Sequence, residues 1–154
     1  MRAVFVLAMV CGLASGCRKE TPEAAIRGVL ADGVAAIHAR DVDRAVRHLS
    51  LHYQDRAGRT ATDMRQLAFF ALKRGPVYVV LGDTRVDVDL DGKSARVQTT
   101  AYAIQGRPEV RKLADLVPQD ADRLDLTVGF VLENARWKVR AIDGDGLVMP
   151  GFEP

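Results

Sequence analysis

The chain has 154 residues, of which 48% are hydrophobic and 27% are charged, and its 22 basic and 20 acidic side chains leave a net charge of +2. This composition is typical of one globular domain and excludes a disordered or membrane-spanning chain. Because the two signs of charge are interspersed without a basic run, we expect no nucleic-acid partner. Both cysteines, Cys11 and Cys17, precede the predicted domain, for which we therefore expect no disulfide and no zinc–cysteine site.

Residues 1–16 have the pattern of a secretory signal peptide. Arg2 gives a positive start, residues 3–11 form an apolar run shorter than the ~20 residues of a transmembrane helix, and small residues follow. Residues 13–17, with the sequence LASGC, resemble a bacterial lipobox. The resemblance implies cleavage before Cys17 and acylation of its thiol, as in a bacterial lipoprotein precursor. An ordinary signal peptide with an incidental cysteine is the alternative.

A lipid on Cys17 would make a membrane of the cell envelope the first partner of this protein. Because Arg18 rather than an aspartate follows the cysteine, the resemblance implies the periplasmic face of the outer membrane in a Gram-negative source. We divide the chain into the signal peptide (1–16), the lipidated cysteine and tether (17–21), one domain (22–146) and a tail (147–154). Three residues separate Cys17 from Thr21, so we expect the domain to lie close to the membrane.

Three helices are predicted in the first half of the domain. The first begins at Pro22, with Thr21 as its N-cap, and runs to about Ala39. Asp41 caps a short second helix, and Thr60 begins a third that ends near residues 74–76.

Gly28 and Gly33 lie inside the first predicted helix. Each costs ~1 kcal/mol of helix stability relative to alanine. We expect the helix to approach a sheet closely at these two positions, because that would explain the missing side chains.

The second half of the domain is predicted to be an antiparallel sheet. Residues 77–81 form an apolar strand, Gly82 and Asp83 a bulge, and residues 86–90 an alternating continuation of that strand. Asp91 and Gly92 make a hairpin turn before a strand over 95–104. A long connection over 105–123, with one helical turn at 110–116, leads to a closing hairpin over 124–142, and residues from 143 onward are expected to be loop.

The alternation assigns one face of the sheet to the interior and places most charged side chains on the other face. Nearly all of the inward set is apolar. Its members are Val86, Val88, Leu90, Val97, Thr99, Ala101, Leu126, Val128, Phe130, Trp137 and Val139.

This layout of helices followed by an antiparallel meander resembles the nuclear transport factor 2-like (SnoaL-like) superfamily. The residues that carry the resemblance are the DVDRAV segment at 41–46 with 49–50, the Tyr53-x-Asp55-x-x-Gly58-x-Thr60 pattern, and the closing segments 130–132 and 136–139. It implies an α+β fold in which helices cover a strongly curved antiparallel sheet, a cone with a cystatin-like layout. The superfamily includes isomerases, dehydratases and hydrolases beside binding modules, so the resemblance leaves the function open.

Tyr53 and Asp55 are the candidate catalytic residues, because they lie two apart on an extended segment that offers a polar entry to the cone. A tyrosine donor and a carboxylate base can transfer protons if an apolar pocket raises the pKa of the carboxylate. In the alternative interpretation, Asp55 caps a turn towards Gly58 and Tyr53 packs its ring in the core.

The candidate ligand pocket consists of Tyr53, Asp55, Thr99, Phe130 and Trp137. The leading hypothesis is a non-enzymatic domain that binds an apolar small molecule or a protein partner. A small isomerase, dehydratase or hydrolase that uses Asp55 and Tyr53 is the second hypothesis. The third is a structural accessory subunit whose cone is filled by Trp137, Phe130, Phe69 and Phe70.

Neither a metal nor a cofactor is expected. His48, His52 and Asp55 would need one continuous helix to share a metal ion, and the acidic turn at 143–146 lacks the downstream glutamate of a calcium loop.

The outer face of the sheet is a further candidate for binding. It carries Tyr102, Ile104, Val131 and Ile142, which could serve a homodimer or a protein partner. Scattered surface apolar residues are the alternative interpretation.

Overall fold

The computed structural model describes residues 20–106 and 121–145. Within these ranges three helices, α1 (Pro22–His38), α2 (Val42–Val46) and α3 (Ala61–Arg74), precede four strands, β1 (Val77–Val88), β2 (Ser94–Gln105), β3 (Asp122–Glu133) and β4 (Arg136–Asp145). The strands form one open antiparallel sheet in the order β1-β2-β3-β4. The predicted α+β fold is confirmed.

Several predictions lie outside the described residues. These are the signal peptide, the lipid site at Cys17, the helical turn at 110–116 and the tail over 147–154. In the part of the chain that is described, no helix has the length and apolarity needed to cross a membrane.

The predicted N-caps of the helices are confirmed. Thr21 Oγ1 accepts the amide hydrogen of Ala24 at 3.2 Å, with Pro22 in the first turn of α1. The Asp41 carboxylate caps α2 in the same way. Thr60 and Asp63 bond each other's backbone amides reciprocally at the start of α3, which is a capping box. Short-range sequence signals therefore place all three described helix starts.

Gly28 and Gly33 do not lie against the sheet, so that expectation is wrong. A Cβ atom added at either position would meet no atom within 4 Å. Their cost to the helix is not offset by close packing.

The bulge predicted at Gly82 and Asp83 is confirmed, because the pairing of β1 with β2 shifts register between Leu81 and Thr84. A Cβ atom on Gly82 would lie 3.3 Å from Cε2 of Tyr102 and 3.4 Å from the carbonyl oxygen of Thr100. The bulge therefore brings the backbone of β1 against β2 at a position where a larger residue would crowd its neighbours.

One face of the sheet packs against α1 and the segment that follows α2. Val88 and Leu90 were predicted to be on this inner face, which is wrong. Val88 ends β1 and is exposed, and Leu90 lies in the β1–β2 turn with a relative exposure of 110%. The buried core consists of Ile26, Tyr53, Ala95, Val97, Val128, Phe130, Trp137 and Val139.

A second bulge, in β4, changes the predicted outer face. Gly129 pairs with Ala141 and Phe130 pairs with Val139, so Arg140 is an additional residue in β4. Ile142 is therefore turned inward and packs against the core, and its prediction as an outer-face residue is wrong.

The outer face is also less exposed than predicted. Ile104 is buried, while Tyr102 and Val131 are half-buried. The C-terminal prediction also needs correction, since β4 continues to Asp145 and residues 143–145 pair with 125–127 instead of forming a loop.

Residues 48–54 lie along the free edge of β4. The amide of Ser50 donates to the carbonyl of Val139 at 2.8 Å, and the amide of Val139 donates to the carbonyl of His48 at 2.8 Å. Gln54 continues the pairing with a hydrogen bond to the carbonyl of Arg140 at 3.1 Å. These bonds satisfy the edge of the sheet and direct the side chain of Tyr53 into the core.

We expect Gly28→Ala to raise the free energy of unfolding by about 1 kcal/mol, because the added methyl group has open space and alanine favours the helix. Urea denaturation measures this change. The matched control is Gly82→Ala, which is expected to give no gain because of the contact with Tyr102. A Gly28→Ala variant no more stable than the parent would contradict the open position of Gly28.

Candidate functional site

Tyr53 occupies the centre of the candidate site. It is 3% exposed and packs in the same cluster as Phe130 and Trp137. Among the described residues, its hydroxyl is the one buried side-chain polar atom without a hydrogen bond of ordinary geometry, although the backbone of Ile142 lies nearby. An unsatisfied buried hydroxyl costs about 1–3 kcal/mol, so this atom calls for a partner such as a ligand or a water molecule.

The surroundings of Tyr53 keep its hydroxyl protonated. Burial is the main cause that raises its pKa to about 12, and the negative charge of Asp55 adds to the increase. The Ile142 backbone and the Arg59 guanidinium act weakly in the opposite direction. At neutral pH the hydroxyl can donate or accept a hydrogen bond, but it has no tendency to act as a base.

Asp55 is buried beside Tyr53, and each oxygen of its carboxylate already accepts one hydrogen bond. Its Oδ2 accepts from Nε of Arg59 at 2.6 Å and its Oδ1 accepts from the amide of Arg59 at 2.9 Å. Its carbonyl accepts from the amide of Gly58 at 2.9 Å, and the positive φ of 77° at Gly58 allows this tight turn. The structure therefore places Asp55 as the closing residue of a turn.

The other predicted pocket residues fall into two groups. Phe130 and Trp137 lie with Tyr53 in the apolar cluster. Thr99 is buried on β2, where its hydroxyl bonds that of Thr84 at 2.9 Å. The structure thus brings three of the five predicted residues into one cluster and pairs the other two, Asp55 and Thr99, with separate partners.

Phe69 and Phe70 do not fill the cone, so that prediction is wrong. They lie on the outward face of α3 with relative exposures of 49% and 47%. Leu67 and Leu72 are the residues that α3 buries. The helix is rotated so that its two adjacent aromatic rings face solvent.

Two of the three residues considered as metal ligands bind other groups through their side chains. His48 contacts the Asp32 carboxylate through Nε2 at 2.8 Å, and the Asp55 carboxylate pairs with Arg59. Over residues 20–106 and 121–145, no three His, Cys, Asp or Glu side chains converge as metal ligands would.

An ionic cluster between α1 and α2 was missed by the sequence analysis. Asp32 on α1 bonds Arg44 at 2.7 Å, Arg47 at 2.8 Å and His48 at 2.8 Å. The hydrogen bond from Arg44, followed by that from His48, lowers the pKa of Asp32 to about 2. The spacing of Arg44, Arg47 and His48 could have predicted that they share a side of the chain. No neighbouring residue in the sequence indicates that their common partner is Asp32 on α1.

A wide groove was also missed. It has a volume of ≈ 950 Å³ and lies between α2, the start of α3 and the β3–β4 turn. We name it the basic groove for its four cationic side chains, Arg47, Arg65, Arg136 and Lys138. Its other lining residues are Asp43, Val46, Leu49, Ser50, Leu51, Ala61, Thr62, Glu133 and Asn134.

Comparison with known proteins supports the fold. No family model and no curated protein matches the sequence. A nuclear transport factor 2-like protein of unknown function from Pseudomonas putida has a TM-score of 0.63 at 15% identity, covering 88% of this chain and 100% of that chain. A protein of unknown function with a cystatin-like fold from Nostoc punctiforme has a TM-score of 0.59 at 10% identity, covering 81% of this chain and 92% of that chain.

The chain has a cystatin-like, nuclear transport factor 2-like fold. It is also similar to a protein from Novosphingobium aromaticivorans named as a candidate scytalone dehydratase, with a TM-score of 0.59 at 11% identity over 79% of this chain and 82% of that chain. At such low identity the similarity establishes the fold alone.

We expect one of the three tyrosines to titrate late in the folded protein, with a midpoint near pH 12. Because the pKa of Tyr53 is raised above the value of about 10 in an unfolded chain, its contribution to stability is complete below pH 10 and is lost as the pH rises towards 12. Phenolate absorbance measures the titration, and Tyr53→Phe is expected to remove the late phase. If no tyrosine of the folded protein titrates well above pH 10, the buried environment of Tyr53 is disproved.

Proposed function

We propose that this protein is a non-enzymatic domain that binds an apolar small molecule at a membrane of the cell envelope, where lipid on Cys17 anchors it. The observation that carries the binding proposal is the Tyr53 hydroxyl, which is buried in an apolar cluster and makes no hydrogen bond of ordinary geometry. Ligand sites in proteins are mostly apolar with a few well-placed polar groups.

The geometry favours a ligand with one hydrogen-bonding group on an otherwise apolar body. The hydroxyl of Tyr53 can donate or accept, so a carbonyl or a hydroxyl on the ligand would satisfy it. The rings of Phe130 and Trp137, which share its cluster, would provide the apolar contacts.

The non-enzymatic interpretation is supported by the state of the two catalytic candidates. Both oxygens of Asp55 accept hydrogen bonds from Arg59, and Tyr53 holds its proton to about pH 12. A general base needs a free lone pair within reach of its substrate. The Asp55 side chain is 1% exposed, so a substrate would have to enter the buried turn to reach its remaining lone pairs.

Enzymatic proton transfer remains the second candidate function, and one observation favours it. Asp55 lies close enough to Tyr53 for its charge to raise the pKa of that hydroxyl. If the protein converts its ligand, and Asp55→Asn abolishes the conversion while binding persists, the protein is an enzyme.

The third hypothesis is a structural subunit whose cone is filled. The close packing of Trp137 and Phe130 favours it.

The membrane anchor is supported by the lipobox-like sequence and by the position of α1. Thr21 already caps the helix, so only residues 18–20 lie between Cys17 and the folded domain. Extended chain covers at most ~3.3–3.6 Å per residue, which places a lipidated domain within about 14 Å of its anchor.

The binding proposal is tested by native mass spectrometry of the chain from Arg18, after incubation with an organic extract of envelopes from the source cells. We expect the chain to retain a discrete small-molecule mass. Trp137 is the single tryptophan, so its fluorescence should change in the same preparation because it belongs to the Tyr53 cluster.

In Tyr53→Phe the loss of one hydrogen bond should weaken retention by about 3- to 10-fold, whereas the ligand-free protein should be at least as stable as the parent, because the unsatisfied hydroxyl is removed. Tyr102→Phe is the matched control and should retain the molecule, since this ring is only half-buried on the other face of the sheet. A bare protein mass with unchanged Trp137 fluorescence would reject the binding proposal.

The anchor is tested by metabolic labelling of the full precursor with an alkyne analogue of palmitate. The parent chain and Cys11→Ser are expected to carry the label, whereas Cys17→Ser should lose it completely because the thiol is the acylated atom. Equal labelling of Cys17→Ser and the parent would show that the lipid, if present, lies elsewhere.

A further inference from the structure

The N-terminus of α1 lies at the end of the sheet that holds the β1–β2 turn. The guanidinium of Arg27 donates to the carbonyl of Thr84 at 2.9 Å, and His38 Nε2 lies 2.9 Å from the carbonyl of Val79. The helix therefore runs antiparallel to β1. A helix rises ~1.5 Å per residue and a strand ~3.3 Å, so the eleven residues from Arg27 to His38 and the five from Val79 to Thr84 both span about 16 Å. By the same rises, Thr21, six residues before Arg27, lies about three strand residues beyond Thr84, towards the β1–β2 turn.

The basic groove lies at this same end. The amide of Leu132 donates to the carbonyl of Lys93 at 2.8 Å, which joins the β3–β4 turn to the β1–β2 turn. The hydroxyl of Ser50 then donates to Glu133 at 2.6 Å, which fixes the segment after α2 beside the β3–β4 turn. The groove and the N-terminus of α1 at Thr21 thus share one end of the described structure.

The two carboxylates of the basic groove are already bound to other groups. Asp43 pairs with Arg65 at 2.6 Å, and Glu133 accepts from Ser50. Arg47 is paired with Asp32 at 2.8 Å, so Arg136 and Lys138 are the two cations of the groove that remain to be considered.

Arg136 and Lys138 make no ion pair with any residue that the structure describes. Lys138 Nζ donates to the carbonyl of Arg47 at 2.7 Å, so its ammonium is held at the groove. Two adjacent cations without carboxylate partners are suited to an anionic oxygen group such as a phosphate.

Leu51 gives the groove an apolar rim. It lines the groove, yet its relative exposure is 93%. Val46 and Leu49 also line the groove and are half-buried. A phosphate site bordered by a fully exposed leucine combines the two chemistries of a phospholipid, an anionic headgroup and a hydrocarbon chain.

We propose that the basic groove binds the headgroup phosphate of an anionic phospholipid in the membrane that anchors Cys17, with Leu51 inserted between the headgroups. The orientation rests on the proposed anchor, because α1, which follows the anchor in the sequence, begins at the groove end. The affinity rests on Arg136, Lys138 and Leu51 and does not require the lipid on Cys17.

The experiment uses the unlipidated chain from Arg18, which contains all the described helices and strands. Co-sedimentation with vesicles of phosphatidylcholine alone, and of phosphatidylcholine mixed with phosphatidylglycerol, measures binding. We expect binding to the phosphatidylglycerol vesicles, weakened by salt, with little binding to phosphatidylcholine alone. Arg136→Glu and Leu51→Asn should each reduce the partition constant by about 5-fold or more.

Arg96→Glu is the matched control, since Arg96 is exposed on β2, does not line the groove and gives the same change of net charge. It should leave vesicle binding unchanged. Equal binding to both vesicle types, equal loss in Arg96→Glu and Arg136→Glu, or full competition by millimolar inorganic phosphate would overturn the phospholipid proposal.

The outcomes separate this inference from the proposed anchor. Vesicle binding by the unlipidated chain with no palmitate label on the precursor would support the groove and reject the anchor. A labelled Cys17 with no vesicle binding would reject the groove alone.

Discussion

The hydrogen bonds between residues 48–54 and the edge of β4 hold the functional parts of this molecule in register. Val139 accepts from the amide of Ser50 and donates to the carbonyl of His48, and the amide of Gln54 extends the pairing to the carbonyl of Arg140. A turn at residues 51–52, closed by the hydrogen bond from the amide of Tyr53 to the carbonyl of Ser50 at 3.1 Å, buries Ser50 and Tyr53 on either side of it and exposes Leu51. The interior cluster and the basic groove are therefore both positioned by one edge contact.

The parts of the fold that depend on local signals were predictable. The side chains of Thr21, Asp41 and Thr60 each accept a hydrogen bond from the backbone amide three residues later and so cap their helices. Gly82 indicates its bulge because a larger residue would crowd the close approach of β1 to β2. The bulge at Arg140 carries no such residue. Its extra position is compensated by Gln54, which is distant in sequence, so alternation alone assigned Ile142 to the wrong face.

The sequence predicted which residues of the candidate site are buried together, but it did not predict which charged side chains pair with each other. Tyr53 is buried beside Phe130 and Trp137, as its place between the helices suggested. The neutralisation of Asp55 by Arg59 depends on a tight turn that brings together residues four apart outside a helix. The basic groove is lined by three separate segments, so its positive charge cannot be predicted from any one of them.

The contact of His38 with Val79 has a consequence for solubility. The ring nitrogen Nε2 lies 2.9 Å from the carbonyl and 3.0 Å from the amide of Val79, so its tautomer decides whether it donates to the carbonyl or accepts from the amide. In either tautomer the imidazole covers this point on the outer edge of β1. An added strand from another molecule would have to displace the ring, which opposes edge-to-edge association of an otherwise open sheet.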